Sequence, residues 1–236
     1  SAMAGDTIPH VITFFSKTAG REKACRLLQY SMNTLIELNR KSLVPWNYDW
    51  FSEVASNMSI TRKVLRFTKH LDLLTAISKT LQNTNLSSAE KFYRCAASLS
   101  AMIYFFFDHL LYFSKLSILK MSTKGGDMVD FLANLAWLFE ILFTLMNDFM
   151  AMHRLQLEIQ LMKAVPQGQE GSYPQSEIDA VQGDQRKIML NILRCVLDIP
   201  VCISALSPGT ISPVSAASFG FVTSFLGVVQ VWKSCQ

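Results

Sequence analysis

The chain has 236 residues, of which 50 % are hydrophobic and 17 % charged, and its mean hydropathy is +0.23. It is thus more apolar than the usual soluble domain, in which about a quarter of residues are charged, and a membrane-associated helical protein is expected. The net charge is +4, but no zinc-ligand spacing or aromatic–basic repeat accompanies it, so no nucleic-acid partner is predicted. The five cysteines form no C-x-x-C motif and share no spacing with the four histidines, so the sequence predicts no metal site and no disulfide framework.

Positive charge is concentrated in the first half of the chain. Through Lys124 there are 16 Lys and Arg against 8 Asp and Glu, whereas the remainder has 6 against 10. A basic front half beside an apolar, mildly acidic back half favours an anionic phospholipid membrane as the partner. Residues 1–3 are interpreted as a tag-cleavage remainder and start, and the first residues do not resemble a secretory signal.

A basic amphipathic helix is predicted between Asn57 and Gln82, within a basic amphipathic helical region over residues 4–86. Apolar residues recur at steps of three, four and seven, which is the spacing of one helical face. They are Ile60, Val64, Phe67, Leu71, Leu74 and Leu81. The basic residues Arg62, Lys63, Arg66 and Lys69 fall mostly elsewhere on the helix. A helix with this pattern can pack on a protein core, bind a partner or lie in a membrane surface, and the pattern alone does not decide among these three.

Residues 87–163 are predicted to form long apolar helices, embedded in a membrane or in a bundle core. The first is capped by Ser87 or Ser88 with Glu90 in its opening turn. Its uncharged run ends at Asp108 and is too short to span a bilayer alone. The whole helix is long enough to cross a bilayer if Asp108 faces protein, and a buried helix of a soluble protein is the alternative. Asp108 and His109 point about 100° apart, so no catalytic dyad is predicted there and no catalytic residue elsewhere.

The second long helix runs from Asp127 to Lys163 and has a thin polar stripe. The stripe consists of Asp130, Asn134, Thr144, Asp148 and Glu158. Such a stripe is expected to face inward, as a seam of the core in preference to a pore lining. Residues 164–185 are then predicted to be a flexible acidic linker, because they are rich in Gln, Gly, Pro and Ser.

The C-terminal region, residues 186–236, is predicted to span a membrane. Val214 to Trp232 is 19 uncharged residues, or about 28 Å as a helix, which nearly matches a hydrocarbon core of about 30 Å. Small residues recur there at every fourth position, namely Ser212, Ala216, Gly220 and Ser224. Such a ridge predicts close helix–helix association and hence a homo-oligomer.

The chain resembles the peroxin-11 family of peroxisomal membrane-elongation proteins, and a related glycosomal membrane protein would look similar. Three segments carry this resemblance: FFSKTAGREKACRLLQY, RKVLRFTK and DIPVCISALSPGTISPVSAASFGFVTSFLG. It implies an all-α membrane protein of the peroxisome that is not an enzyme and has no cofactor. Its implied role is to elongate the organelle membrane before fission, together with the fission machinery.

Carried onto this chain, the resemblance implies that a basic amphipathic helix inserts into the cytosolic leaflet. Arg62, Lys63, Arg66 and Lys69 would meet lipid phosphates, while Ile60, Val64, Phe67, Leu71 and Leu74 enter the acyl boundary. A channel or solute-transfer protein, with the polar stripe lining its path, is the alternative. A soluble helical adaptor is a third possibility.

Overall fold

The computed structural model describes residues 2–40, 49–164 and 173–235, with side chains from residue 8 onward, and over these ranges it contains α-helices and no strand. This confirms the all-α class predicted from the sequence. The eight helices described are α1 (Ala2–Ser16), α2 (Thr18–Arg40), α3 (Asp49–Leu65), α4 (Lys69–Gln82), α5 (Ser88–Lys115), α6 (Thr123–Ala164), α7 (Gln175–Leu206) and α8 (Pro213–Lys233).

Local sequence explains where two of the long helices begin. Ser87 caps α5: its hydroxyl accepts from the backbone N–H of Glu90 at 3.2 Å, and the Glu90 carboxylate accepts from the Ser87 N–H at 3.0 Å. This reciprocal capping box satisfies two donors that the helix itself cannot pair, and it confirms the predicted cap. Ser212 caps α8, whose first residue is Pro213. The backbone N–H of the first helical residue has no partner within the helix. Proline, which lacks this N–H, therefore loses no hydrogen bond at that position.

Six of the helices form a closed ring. α5 packs on α6, α6 on α7, α7 on α8 and α8 on α2, which packs in turn on α3. A contact between α3 and α5 closes the ring, and α4 packs on the outside of α5. The start of α2 lies beside the end of α8, where Lys17 Nζ donates to the Ser234 carbonyl at 2.8 Å. The chain therefore returns to its beginning, and the space inside the ring is bounded by distant parts of the sequence.

Four helices of the described chain, α5 to α8, are long and apolar enough to cross a membrane. At most 28 % of the residues in their most apolar windows are buried, so most of this apolar surface faces outward. Helices that are apolar towards the outside are suited to lipid. The 21 residues of α8 correspond to about 31 Å, which matches a hydrocarbon core and agrees with the predicted C-terminal spanning segment.

The predicted continuous helix from Asn57 to Gln82 is wrong, because α3 ends at Leu65 and α4 begins at Lys69. Between them, Arg66, Phe67 and Lys69 each donate to the carbonyl three residues earlier, at 2.9–3.2 Å. Bonds of this spacing tighten the helix into a 3₁₀-type turn. The turn directs the side chain of Arg66 into the ring, and Arg66 is only 7 % exposed. Amphipathic periodicity continues across this break, and for that reason the sequence did not reveal it.

The predicted linker is also shorter than residues 164–185. Its positions 165–172 lie outside the described residues, but α7 begins at Gln175 and includes the acidic residues Glu177, Asp179 and Asp184. Glu177 lies in the first turn, where a negative charge favours the helix dipole. Gln175 donates to the carboxylate of Asp179 one turn later, at 3.0 Å. Local interactions of this kind make the second half of the predicted linker helical.

Candidate functional site: a charged cavity inside the helical ring

A cavity of about 360 Å³ lies within the ring and is lined mainly by α2, α3, α5, α6 and α7. Its wall is unusually charged for the interior of an apolar bundle. Seven cationic side chains line it: Lys23, Arg26, Arg62, Lys63, Arg66, Lys69 and Arg194. Five carboxylates line it: Glu22, Asp108, Asp130, Glu140 and Asp198. The described wall therefore carries two more positive than negative charges.

Glu22 is the centre of the first group of ion pairs. Its Oε1 accepts from Arg62 Nε at 3.0 Å and from Arg66 Nη2 at 2.9 Å, and its Oε2 lies 3.0 Å from Lys23 Nζ. Burial by itself would raise the pKa of Glu22, but Lys23 and the two arginines hold that pKa well below its usual value. Burial also lowers the pKa of Lys23, to about 8. Three cations thus share one ionised carboxylate.

Asp108 of α5 is the centre of the second group. It pairs with Lys63 and, at 3.4 Å, with Arg66 Nη1. Arg66 also donates to the Tyr104 hydroxyl at 3.0 Å, so one guanidinium joins α2, α5 and the turn before α4. Asp108 is 4 % exposed, so it meets the condition under which α5 could cross a bilayer. Fixing a buried carboxylate with two cations offsets the cost of removing it from water.

A third group of contacts, made by Arg26, shows that the cavity reaches the middle of α8. Arg26 Nη2 donates to Asp198 Oδ1 at 2.6 Å and to the Thr223 hydroxyl at 3.3 Å. Thr223 is fully buried and is the middle residue of α8, which runs from Pro213 to Lys233. If α8 crosses the bilayer, this ion pair lies near the bilayer midplane.

Three of the four cations predicted to bind lipid phosphates lie inside the protein. The side chains of Arg62, Lys63 and Arg66 are 8–12 % exposed, and all three pair with Glu22 or Asp108. The structure therefore gives them carboxylate partners in place of the predicted phosphates, because the turn at Arg66 directs their side of α3 into the ring. Lys69 is more exposed and pairs with Asp72 on the same helix.

Four of the five apolar residues predicted to enter lipid are exposed on the outside of the bundle, and their contact with lipid stays a prediction. Ile60 is half-buried, but the exposures of Val64, Phe67, Leu71 and Leu74 are 44 %, 42 %, 66 % and 51 %. Among the described helices α4 packs only on α5, and it contains no buried residue. We refer to the exposed side chains of Val64, Phe67, Leu71, Leu74 and Leu81 as the outer apolar stripe.

The ridge of small residues on α8 contacts α2 of the same chain. A Cβ atom added to Gly220 would lie 2.2 Å from the Tyr30 ring, and the Ser224 hydroxyl donates to the Gly220 carbonyl at 2.5 Å. Ser212 is the exposed N-cap of α8, and Ala216 is half-buried. A close approach of the kind predicted for this ridge is therefore made within one chain at Gly220, and association with a second copy stays a prediction.

The polar stripe predicted on α6 does not line one continuous path. Asp130 and Asn134 line the cavity, but Glu158 is exposed and Thr144 half-buried. Asp148 belongs to a separate polar group, in which Asn191 of α7 donates to it at 2.5 Å.

Glu22, Arg26 and Asp198 belong to the site and were not predicted from the sequence. Glu22 and Arg26 are four residues apart on one face of α2, and Asp198 is the last charged residue of α7, before a run without charge that continues to Lys233. Those two features are the signals that point to them. A charge within an apolar helix usually faces a partner inside the bundle.

Comparison with known proteins identifies the family of this chain. Residues 8–232 match the family described as peroxisomal biogenesis factor 11. The chain is 25 % identical over 249 residues to the peroxisomal membrane protein PMP30A of Candida boidinii, covering 97 % of this chain and 95 % of the relative. It is 23 % identical over 232 residues to the peroxisomal membrane protein PMP27 of Saccharomyces cerevisiae, covering 97 % and 95 %. It is also 24 % identical over 242 residues to the peroxisomal membrane protein 11B of Arabidopsis thaliana, covering 98 % and 100 %.

No solved structure matches the chain. Within the part of the chain that the structure describes, no group of three or more His, Cys, Asp or Glu residues is arranged to hold a metal ion. The family match covers nearly the whole ring of helices, including every residue of the charged cavity named above. The chain therefore belongs to the peroxisomal biogenesis factor 11 family and is a protein of the peroxisomal membrane.

Proposed function

We propose that this protein remodels and elongates the peroxisomal membrane, promoting proliferation and fission, and that α4 is the element that inserts into one leaflet. The observation that carries this proposal is the outer apolar stripe on a peripheral helix. Leu71, Leu74 and Leu81 are 51–66 % exposed, and α4 is joined to the ring through one neighbouring helix and one short turn.

The physical basis of this role is the cost of leaving the stripe in water. Burying one large apolar side chain is worth roughly 1.5–3 kcal/mol, so several leucines together favour the acyl boundary strongly. A helix that occupies area in one leaflet only makes the two leaflets unequal and bends the membrane. The anionic lipid surface is the partner in this step, and the role involves no catalytic group. Fission factors would act on the elongated membrane that results.

The test is vesicle tubulation by the full-length protein with Leu71→Ser and Leu74→Ser together. We expect these substitutions to reduce tubulation of anionic vesicles several-fold, because they remove two apolar side chains that α4 would insert. The matched control is Leu157→Ser with Leu161→Ser, which changes two leucines of similar exposure, 47 % and 70 %, on α6. Equal tubulation by both double variants, each reconstituted to the same density, would refute the role of α4.

A second candidate function is solute passage, and the charged cavity is the observation that favours it. A polar space inside an apolar bundle is where a transporter holds its substrate. Glu140 lines this cavity, whereas Asp148 lies in the separate polar group on α6. If solutes pass through the cavity, Glu140→Gln changes the conductance in planar bilayers more than Asp148→Asn does. Unaltered conductance in Glu140→Gln would exclude the cavity as the path.

A further inference from the structure

The charge of the cavity wall is not balanced by the protein itself. Seven cationic and five acidic side chains line the cavity, but one of the cations, Lys69, pairs with Asp72, which does not line it, so an excess of one positive charge remains. The imbalance is clearest at Glu22, a single carboxylate shared by Lys23, Arg62 and Arg66. Uncompensated charge is unfavourable in a low-dielectric interior, because it has lost its hydration and gained no partner. A negative partner inside the cavity would remove that cost.

Arg26 supplies an independent sign of a missing partner. This residue is 8 % exposed and lines the cavity. Its Nη2 is paired with Asp198 and Thr223, but its Nε is buried without a hydrogen-bond partner in the described structure. A buried donor of a charged group is costly to leave unpaired. An acceptor oxygen in the cavity would satisfy it.

The depth of the cavity makes both observations stronger. Arg26 contacts Thr223, the middle residue of α8, so bulk water and dissolved counter-ions would be far from these charges once the protein is in a bilayer. The nearby α3–α4 break brings Arg66 into the same space.

We propose that the cavity is a binding site for a small oxyanion. A negative ligand balances the positive excess on the wall, and carboxylate, phosphate or sulfate oxygens accept hydrogen bonds from guanidinium groups in favourable geometry. The volume of about 360 Å³ lies at the lower end of small-molecule sites, so it admits a compact anion. The proposal rests on neither function above, because an anion held at the centre of the ring need not cross the bilayer.

The experiment is isothermal titration of the full-length protein in detergent with sulfate, after equilibration in chloride at the same ionic strength. Sulfate is chosen because its charge is constant at neutral pH. We expect saturable binding that chloride at equal ionic strength does not reproduce. Absence of saturable binding by the unaltered protein would overturn the proposal.

Two variants with opposite expected effects test whether binding follows the charge of the wall. Lys23→Met removes one cation, leaves Glu22 with two arginines, and keeps an unbranched side chain against Gly227. Glu140→Gln removes one carboxylate. We expect the first to weaken sulfate binding about tenfold and the second to strengthen it by a similar factor.

The control is Arg154→Gln, which removes a cation of α6 that pairs with Glu90 at 3.5 Å and does not line the cavity. We expect sulfate affinity to be unchanged in it. If Lys23→Met does not fold, Glu140→Gln alone decides: stronger binding supports the site. Weaker or unaltered binding in Glu140→Gln, or an equal loss in Arg154→Gln, overturns it.

Discussion

The two halves of the segment from Asn57 to Gln82 have the same kind of sequence and opposite environments. The end of α3 and the following turn place Lys63 and Arg66 inside the ring, on Asp108. One turn later, α4 leaves Leu71 and Leu74 more than half exposed on the outside. In this protein of the membrane, the basic residues of the segment are therefore not the ones that face the outside. Basic side chains lie where carboxylates of the protein pair with them, whereas apolar side chains lie on the surface that is available to lipid.

The largest expected effect comes from removing the cation at the α3–α4 break. Arg66→Gln removes three hydrogen bonds of one buried guanidinium, to Glu22, Asp108 and the Tyr104 hydroxyl, and a hydrogen bond to a charged group contributes about 1.5–3 kcal/mol. We expect a large loss of stability, measured as the fraction of helix retained by circular dichroism during denaturation in mixed micelles.

Lys69→Gln is the matched variant for Arg66→Gln, since it removes a cation three residues further along the chain. Although Lys69 also lines the cavity, its side chain is 33 % exposed and its partner Asp72 is 67 % exposed, and an exposed pair of that kind contributes about 0–1 kcal/mol. The stability of Lys69→Gln should therefore stay close to that of the unaltered protein. Equal losses in the two variants would mean that the inside and the outside of this segment do not differ as described.

A smaller effect is expected where α8 approaches α2. Gly220→Ala places a Cβ atom 2.2 Å from the Tyr30 ring, so the two helices must move apart, and overpacking of this kind costs typically about 1–3 kcal/mol. Gly126→Ala is the control, because nothing lies within 4 Å of its added Cβ and alanine favours a helix. The same denaturation assay should show Gly220→Ala less stable and Gly126→Ala at least as stable as the original. A stable Gly220→Ala variant would contradict the close contact between α8 and α2.

Features that depend on neighbouring residues could be predicted from the sequence. The cap at Ser87 follows from a short motif, and the span of α8 follows from an uncharged run of sufficient length. The cost of placing a lone carboxylate in an apolar environment set the condition that Asp108 must face protein if α5 crosses a bilayer, and Asp108 is buried. In each of these cases the physical cause lies within one helix.

The charged cavity could not be predicted in the same way, because its partners are distant in the sequence. Arg66 pairs with a glutamate 44 residues earlier, and Arg26 with an aspartate 172 residues later. Helical periodicity indicates which residues share a face, but it does not indicate which other helix that face meets. The turn at Arg66 was missed for a related reason, since the apolar spacing continues on both sides of it.

The first and last helices of the ring, α2 and α8, pack on each other. This order affects how the protein is made. The α2 residue Arg26 pairs with Asp198 of α7 and Thr223 of α8. During synthesis from the N-terminus, Arg26 therefore remains without these partners until almost the whole chain has emerged, whereas Glu22 can meet Arg62 and Arg66 much earlier. Contacts of such long range are slow to form. The Arg26 side of the cavity is therefore the part of the interior that is completed last.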